Sequence, residues 1–282
     1  MFLSPQKYFR TQEARPRKRF GQHFLAQPAT AERIVQSADL EEDDVAVEIG
    51  PGLGALTQFI LPKASRLHLV EIDRDMAEYL ETHMPPSNCD VRIHLQDVMQ
   101  FDFASLSSSE GKRLVLLGNL PYNISSPLMF HLLESISALK RGVFMVQKEV
   151  GERLAAGPGT KDYGVLSVLL GVYARVTPLF DVGPGQFHPP PKVDSSVLRI
   201  DFMQELLPDI PSFSFLRRLV NTAFQQRRKT LRNSLKALVG KDGAILETAF
   251  SSIGVEPNRR PETLSPEEFL KLGEVLERHL ST

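Results

Sequence analysis

Apolar positions in the first half of the chain fall in short continuous runs, each followed by a stretch with helical spacing. Residues 44–49, 67–72, 91–95, 114–117 and 143–147 read as strands, and residues 29–37, 55–61, 75–83, 126–139 and 148–156 as helices. Strands that alternate with helices predict a mainly parallel sheet covered on both faces. Between these runs, residues 105–112 are polar and read as a loop. The period then changes. Gly157-Pro158-Gly159-Thr160 is a turn, 163–173 a helix, and 176–182 and 196–202 are strands joined by a proline-rich connection at 183–194. That stiff connection carries Phe187, which either stands over a pocket opposite Tyr122 or packs inside. Beyond residue 202 the strand signal ends. Leu216, Leu219, Val220, Ala223, Phe224, Leu231, Leu235 and Leu238 lie close to one face of a helical stretch at 213–239. A last helix starts at Pro266, with Ser265 as its cap, and ends near His279. The expected organisation is a basic arm at 1–19, an α/β domain at 20–205 and a small all-helical domain at 206–282.

The strand tips carry the candidate chemistry. Gly118-Asn119-Leu120-Pro121-Tyr122 follows the apolar run 114–117, so Asn119 to Tyr122 sits at the C-terminal edge of the sheet, where ligands bind in open α/β folds. Asn119 offers a carbonyl to an exocyclic amine. Pro121 lacks an amide donor, so the carbonyls of Leu120 and Pro121 stay available to the same amine. Tyr122 supplies a face on which a planar base stacks, worth roughly 1–3 kcal/mol. The alternative is an ordinary turn, since Asn and Pro are common there. At the first strand, Gly50-Pro51-Gly52-Leu53-Gly54 has glycines that let a backbone approach a nucleotide closely, but Ala55 stands where the dinucleotide fingerprint wants glycine. This favours an adenosyl cofactor over NAD. Glu71, at the tip of the second strand, is placed to accept ribose hydroxyls. Asp97, at the tip of the third, either accepts from an adenine amine or forms a turn. Phe20-Gly21-Gln22-His23-Phe24-Leu25 precedes the first helix and either docks the arm on the core or helps cover a ligand.

Charge adds a second theme. The formal net charge of −1 says nothing of partners, but its distribution does. Residues 1–19 hold six Lys or Arg against one acid, and residues 211–239 hold seven with no acid. Arg228, Arg232 and Lys236 recur at i+4, flanked by Arg227 and Lys229. Such runs mark solvated surface or a nucleic-acid footprint. One cysteine, Cys89, excludes an intrachain disulfide framework and fits a reducing compartment. The histidines show no metal-ligand spacing. No apolar run approaches the ~18 residues of a membrane span, and the start of the chain has no signal-peptide apolar core.

Residues 20–25, 48–54, 119–122, 187–195 and 224–233, in order along almost the whole chain, resemble the ribosomal RNA adenine dimethyltransferases, and most closely the small-subunit branch whose loss gives kasugamycin resistance. The resemblance implies a Rossmann-like, seven-stranded methyltransferase fold with a small all-helical C-terminal domain. It implies S-adenosylmethionine as methyl donor without a metal, and cytoplasmic action by a monomer during ribosome assembly. By the same resemblance the cofactor contacts fall on His23, Leu25, Gly50, Gly52, Glu71, Asp97 and Asn119. The family usually has Asn where this chain has His23. Imidazole still donates a hydrogen bond, and with an unperturbed pKa of about 6.5 it would make cofactor affinity pH-dependent.

The expected chemistry is transfer of methyl groups to the N6 amines of two adjacent adenosines near the 3′ end of small-subunit rRNA within the pre-30S particle. Asn119 and the Leu120 or Pro121 carbonyl would localise the amine lone pair, with Tyr122 and Phe187 sandwiching the base. Arg227, Arg228, Lys229, Arg232 and Lys236 would meet RNA phosphates. The rivals are a large-subunit rRNA adenine methyltransferase, a DNA adenine methyltransferase, a mitochondrial homologue, and an assembly factor in which methylation is incidental.

Overall fold

The structure is a computed structural model that describes residues 2–11, 22–203, 211–226, 228–240 and 243–280. Residues 1 and 12–19 of the expected basic arm, together with Phe20, Gly21 and Arg227, lie outside them. The chain divides into two compact units, one formed by Met1–Gly151 with Thr177–Phe202, the other by Glu152–Val176 with Met203–Thr282. The helical unit therefore takes in residues 152–176, which strand and helix spacing had placed with the α/β part.

The first unit is built on α1 (Pro5–Thr11), β1 (Phe24–Leu25), α2 (Pro28–Ser37), β2 (Val45–Ile49), α3 (Thr57–Ile60), β3 (Arg66–Glu71), α4 (Arg74–His83), β4 (Asp90–Leu95), α5 (Phe103–Glu110), β5 (Leu114–Asn119), α6 (Ser125–Glu134), β6 (Leu139–Gln147) and α7 (Lys148–Leu154). Seven strands form the main sheet in the order β4-β3-β2-β5-β6-β9-β7, with β7 at Ala174–Val182 and β9 at Ser195–Phe202. The pairs from β4 across to β6 are parallel, whereas β9 runs antiparallel to β6. Every residue of β2 is buried, Glu48 included, and so are residues 114–118 of β5, as befits parallel strands covered on both faces. Because β2 is flanked by β3 on one side and β5 on the other, the chain reverses its direction of travel there. A crevice opens at that reversal, at the C-terminal ends of the strands. A separate two-stranded ribbon pairs β1 with β8 (Phe187–His188).

Residues 103–110 form a helix, not the loop their polarity suggested. Asp102 caps it, accepting from Ser105 N at 2.9 Å and from Ser105 Oγ at 2.6 Å. Phe103 anchors it with no exposed surface, and Gly111, at φ 64°, closes it in the left-handed region. Over the described part of the expected basic arm, residues 5–11 form helix α1, which packs through Pro5 and Tyr8, the latter only 6% exposed.

The second unit is helical: α8 (Val165–Tyr173), α9 (Phe213–Phe224), α10 (Leu231–Val239), α11 (Gly243–Ile253) and α12 (Pro266–Leu280). Seven of the nine α8 residues are buried, making it the central helix. Gly171 lets α12 approach, since a Cβ there would fall 2.5 Å from Pro266 Cγ. Ser265 and Glu268 form a reciprocal cap: Glu268 N donates to Ser265 Oγ and Ser265 N to Glu268 Oε2. The expected continuous helix over 213–239 is two helices. The first amides of α10 donate to the 257–259 loop, Leu231 N to Arg259 O and Arg232 N to Pro257 O, instead of to a preceding helical turn.

Candidate active site

One cavity of about 810 Å³ opens at the sheet reversal, within the first unit. Its rim is made by strand tips. After β2 the chain turns through Gly50, Gly52 and Gly54, at φ +64°, +53° and +80°, values that disfavour a side chain. Gly50 N donates to Val70 O, fastening the turn to β3. Gly52 is further restricted, because a Cβ there would meet the Phe24 ring at 3.0 Å.

Glu71 ends β3, 5% exposed. Its Oε2 accepts from Gly52 N at 3.0 Å and its Oε1 from Asp73 N at 2.9 Å. Burial raises its pKa, and the two amide bonds oppose that rise. Each oxygen retains a second lone pair for an outside donor. Asp97 follows β4 and holds the next turn by accepting from Met99 N on Oδ1, which leaves Oδ2 available at the cavity.

Asn119 closes β5. Its Nδ2 donates to His23 O at 2.8 Å, so the carboxamide is oriented and Oδ1 remains its acceptor. Leu120 N donates to Met145 O, and Pro121 O accepts from Ser125 Oγ and Ile124 N. Leu120 O is engaged by neither, which makes it the better placed of the two carbonyls to receive a second amine hydrogen. Tyr122 OH lies 2.8 Å from Ser195 Oγ. The His23 ring stacks on Tyr122, with centroids 5.6 Å apart and planes at 27°. His23 Nδ1 must carry a proton, because its partner at 2.8 Å is the Pro189 carbonyl.

His23, Leu25, Gly50, Gly52, Glu71, Asp97, Asn119, Leu120, Pro121 and Tyr122 thus all line this one cavity. Phe187 does not. It is 4% exposed, pairs with Leu25 across the β1–β8 ribbon and belongs to the core cluster around Leu25 and Val182, so of its two readings the packed one holds. The basic residues belong to the second unit. Arg228 and Lys229 sit in the turn before α10, and Arg232 and Lys236 one helical turn apart on α10, so the three-residue i+4 ladder is broken at its start. Arg232 is paired with Glu247 at 2.6 Å.

Three features of the cavity escaped the spacing argument. Glu48, 2% exposed, lines it while accepting from Thr57 Oγ1 at 2.6 Å, and burial pushes its pKa up to about 8. Its signal was an acid inside an apolar strand. Ile72 is 46% exposed at the cavity, an apolar side chain directly after Glu71 and suited to a flat aromatic face. A third feature, the packing of Phe2 to Pro5 on the cavity, has no local sequence signal.

A volume in the range of nucleotide-sized sites, a glycine turn, carboxylates with spare acceptors at two successive tips and an exposed Ile beside them suit an adenosyl cofactor. An oriented carboxamide, a spare carbonyl and an aromatic ring beside them suit a planar amine. Fold and site together define a nucleoside-cofactor methyltransferase of the amine-directed kind. The family described as ribosomal RNA adenine dimethylase matches residues 13–278, and this chain belongs to it. It is 46% identical to the ribosomal RNA small subunit methyltransferase A of Syntrophotalea carbinolica over 94% of this chain and 98% of that one. It is 48% identical to the protein of the same name from Nitrosococcus oceani, over 92% and 95%. Among solved structures it resembles a dimethyladenosine transferase from Plasmodium falciparum, with a TM-score of 0.74 and 26% identity over 89% of this chain and 96% of that one. The 23S rRNA methyltransferase ErmE shares the fold, with a TM-score of 0.64 and 23% identity over 90% and 99%.

Proposed function

We propose that this enzyme methylates the N6 amines of two adjacent adenosines near the 3′ end of small-subunit rRNA, in the pre-30S particle. The observation that carries the reading is the Asn119 carboxamide, fixed by His23 O at the mouth of the cavity beside Leu120 O and the Tyr122 ring. S-adenosylmethionine, when bound, supplies an electrophilic methyl group. Glu71 would accept its ribose hydroxyls and Asp97 its adenine amine, with Gly50, Gly52, Leu25 and His23 forming the surrounding wall.

The target amine is a poor nucleophile because its lone pair is delocalised into the purine ring. Asn119 Oδ1 and Leu120 O, each accepting one amine hydrogen, favour a pyramidal nitrogen whose lone pair projects away from both acceptors. Catalysis then comes from positioning and electrostatic preorganisation. Tyr122 holds an extruded base by stacking, offsetting the few kcal/mol lost on unstacking it. The Ser195 contact fixes the plane of that ring. In this reading the reaction uses no metal, the enzyme acts as a monomer in the cytoplasm, and Arg228, Lys229, Arg232 and Lys236 contact RNA phosphates, with Arg227 assigned the same role from its sequence position. The large-subunit reading loses ground because relatives at 46% and 48% identity carry the small-subunit name.

The test is to incubate the purified protein with radiolabelled donor and small subunits lacking the modification, then map the labelled nucleotides. Label in two neighbouring 3′-terminal adenosines is the expected result. Small subunits left unlabelled, or labelled away from those two positions, would refute it.

A further inference from the structure

Residues Phe2–Thr11 lie ahead of the family-matched stretch, which begins at residue 13, yet they form part of the cavity wall. Phe2, Leu3, Ser4 and Pro5 all line it. Among the described residues, a specific bond and a chain of rings hold the segment. Leu3 N donates to Tyr79 OH at 2.7 Å, and the Tyr8 and Tyr79 rings meet edge to face with centroids 5.0 Å apart. Helix α1 is amphipathic at the scale of two turns: Pro5 and Tyr8 are buried while Gln6, Lys7 and Arg10 face outward.

Its contacts fall on the middle and the far end of the glycine turn. The Phe2 ring fills the space beside Gly54, where a Cβ would come within 2.8 Å of it. Phe9 packs on Phe24 at 5.3 Å, and Phe24 in turn covers Gly52. With the segment in place the cavity still holds about 810 Å³, ample for an adenosyl nucleoside, so the segment encloses the site rather than filling it.

We propose that Phe2–Thr11 is a retaining strap of the cofactor site, with Phe2 and Tyr79 as positioning residues, and that the nucleoside cofactor enters and leaves only when the strap lifts from Tyr79 and the glycine turn. The inference rests on the assignment of this cavity to an adenosyl cofactor. A strap differs from a simple contact in its kinetics. A lost contact speeds release alone, whereas a loosened strap speeds release and entry together.

The experiment compares wild type with Phe2→Ala and Tyr79→Phe in the full chain, using S-adenosylhomocysteine as probe. Equilibrium binding is measured by calorimetry, release by chase with labelled probe, and the cofactor-free thermal midpoint controls for folding. Tyr79→Phe keeps the ring stack and deletes only the acceptor of Leu3 N. We expect release to accelerate about tenfold in each variant, the cost of losing roughly one hydrogen bond or ring contact. Association should accelerate as well, so that Kd weakens by less than release quickens, at an unaltered midpoint. Unchanged release overturns the strap, as does faster release with unchanged association. Slower release from the variants also overturns it, because the segment would then be competing with the cofactor for space. Failure of wild type to bind the probe would remove the cofactor assignment and the strap together, a result distinct from tight wild-type binding with indifferent variants.

Discussion

Asn119 Nδ2 donates to the carbonyl oxygen of His23 across 2.8 Å, tying the tip of β5 to the residue just ahead of β1. The bond fixes which end of the carboxamide faces the cavity and makes Oδ1 a preset acceptor. Asn119→Ala deletes that acceptor and unties the two segments. Methyl transfer should fall at least a hundredfold, the scale seen when one preorganised polar group is removed from a reacting centre. If RNA affinity is set by phosphate contacts elsewhere, it should change less than twofold. Single-turnover kinetics and gel shift on the same subunits check both halves, and turnover within a factor of three of wild type would remove Asn119 from the mechanism.

Tyr122 has two separable jobs. Its ring offers a stacking face and its hydroxyl meets Ser195 Oγ at 2.8 Å. Tyr122→Phe keeps the first and loses the second, so activity should drop only a few-fold. Tyr122→Ala loses both, and if the ring holds an extruded base the additional loss should correspond to roughly 1–3 kcal/mol, a factor of about 5 to 150 in kcat/KM. Equal losses in the two variants would mean that the hydroxyl, and not the face, matters.

How legible the site was follows from where its residues sit. Gly50, Glu71, Asp97 and Asn119 could be placed because each ends or follows a segment that reads as a strand, and strand tips at a sheet reversal converge whatever lies between them. Phe187 could not, since a proline-rich connection fixes no register. Only its pairing with Leu25 shows that the ring turns inward. The α5 helix was hidden by serines whose polarity outweighed one anchoring Phe103, and the break between α9 and α10 depends on carbonyls some thirty residues away. For Phe2–Thr11 the partner is Tyr79, invisible at short range, while the charges of the neighbouring residues suggested a free arm.

Burial raises the Glu48 pKa to about 8 from an ordinary 4.5, with the nearby Glu71 adding to the rise and the Thr57 hydroxyl opposing it. Between those two values the folded chain holds a proton the unfolded chain has released, so this residue makes stability fall as pH rises from about 4.5 to about 8 and level off above. Glu48→Gln keeps an acceptor for Thr57 and cannot ionise. The cofactor-free variant should melt close to wild type near pH 5 and progressively higher above it, by roughly 2–4 °C for each kcal/mol relieved at this chain length. Melting curves that stay parallel from pH 5 to 9 would show that Glu48 ionises normally.

The basic residues of the second unit differ in how much charge they have to offer. Arg232 is paired with Glu247 at 2.6 Å, whereas Lys236, in the last turn of the same helix, has no ion pair among the described residues. If both meet phosphates, replacing Lys236 by Ala should lower the slope of log affinity against log salt by nearly one, the full share of a single phosphate contact. Arg232→Ala should lower it by less, because the free protein already neutralises that charge and must break the pair to lend it. Glu247→Gln should then strengthen RNA binding at low salt, since it frees the guanidinium. Filter binding of the three variants at several salt concentrations gives the slopes. Equal slopes for all three and wild type would place the RNA on another face of this unit.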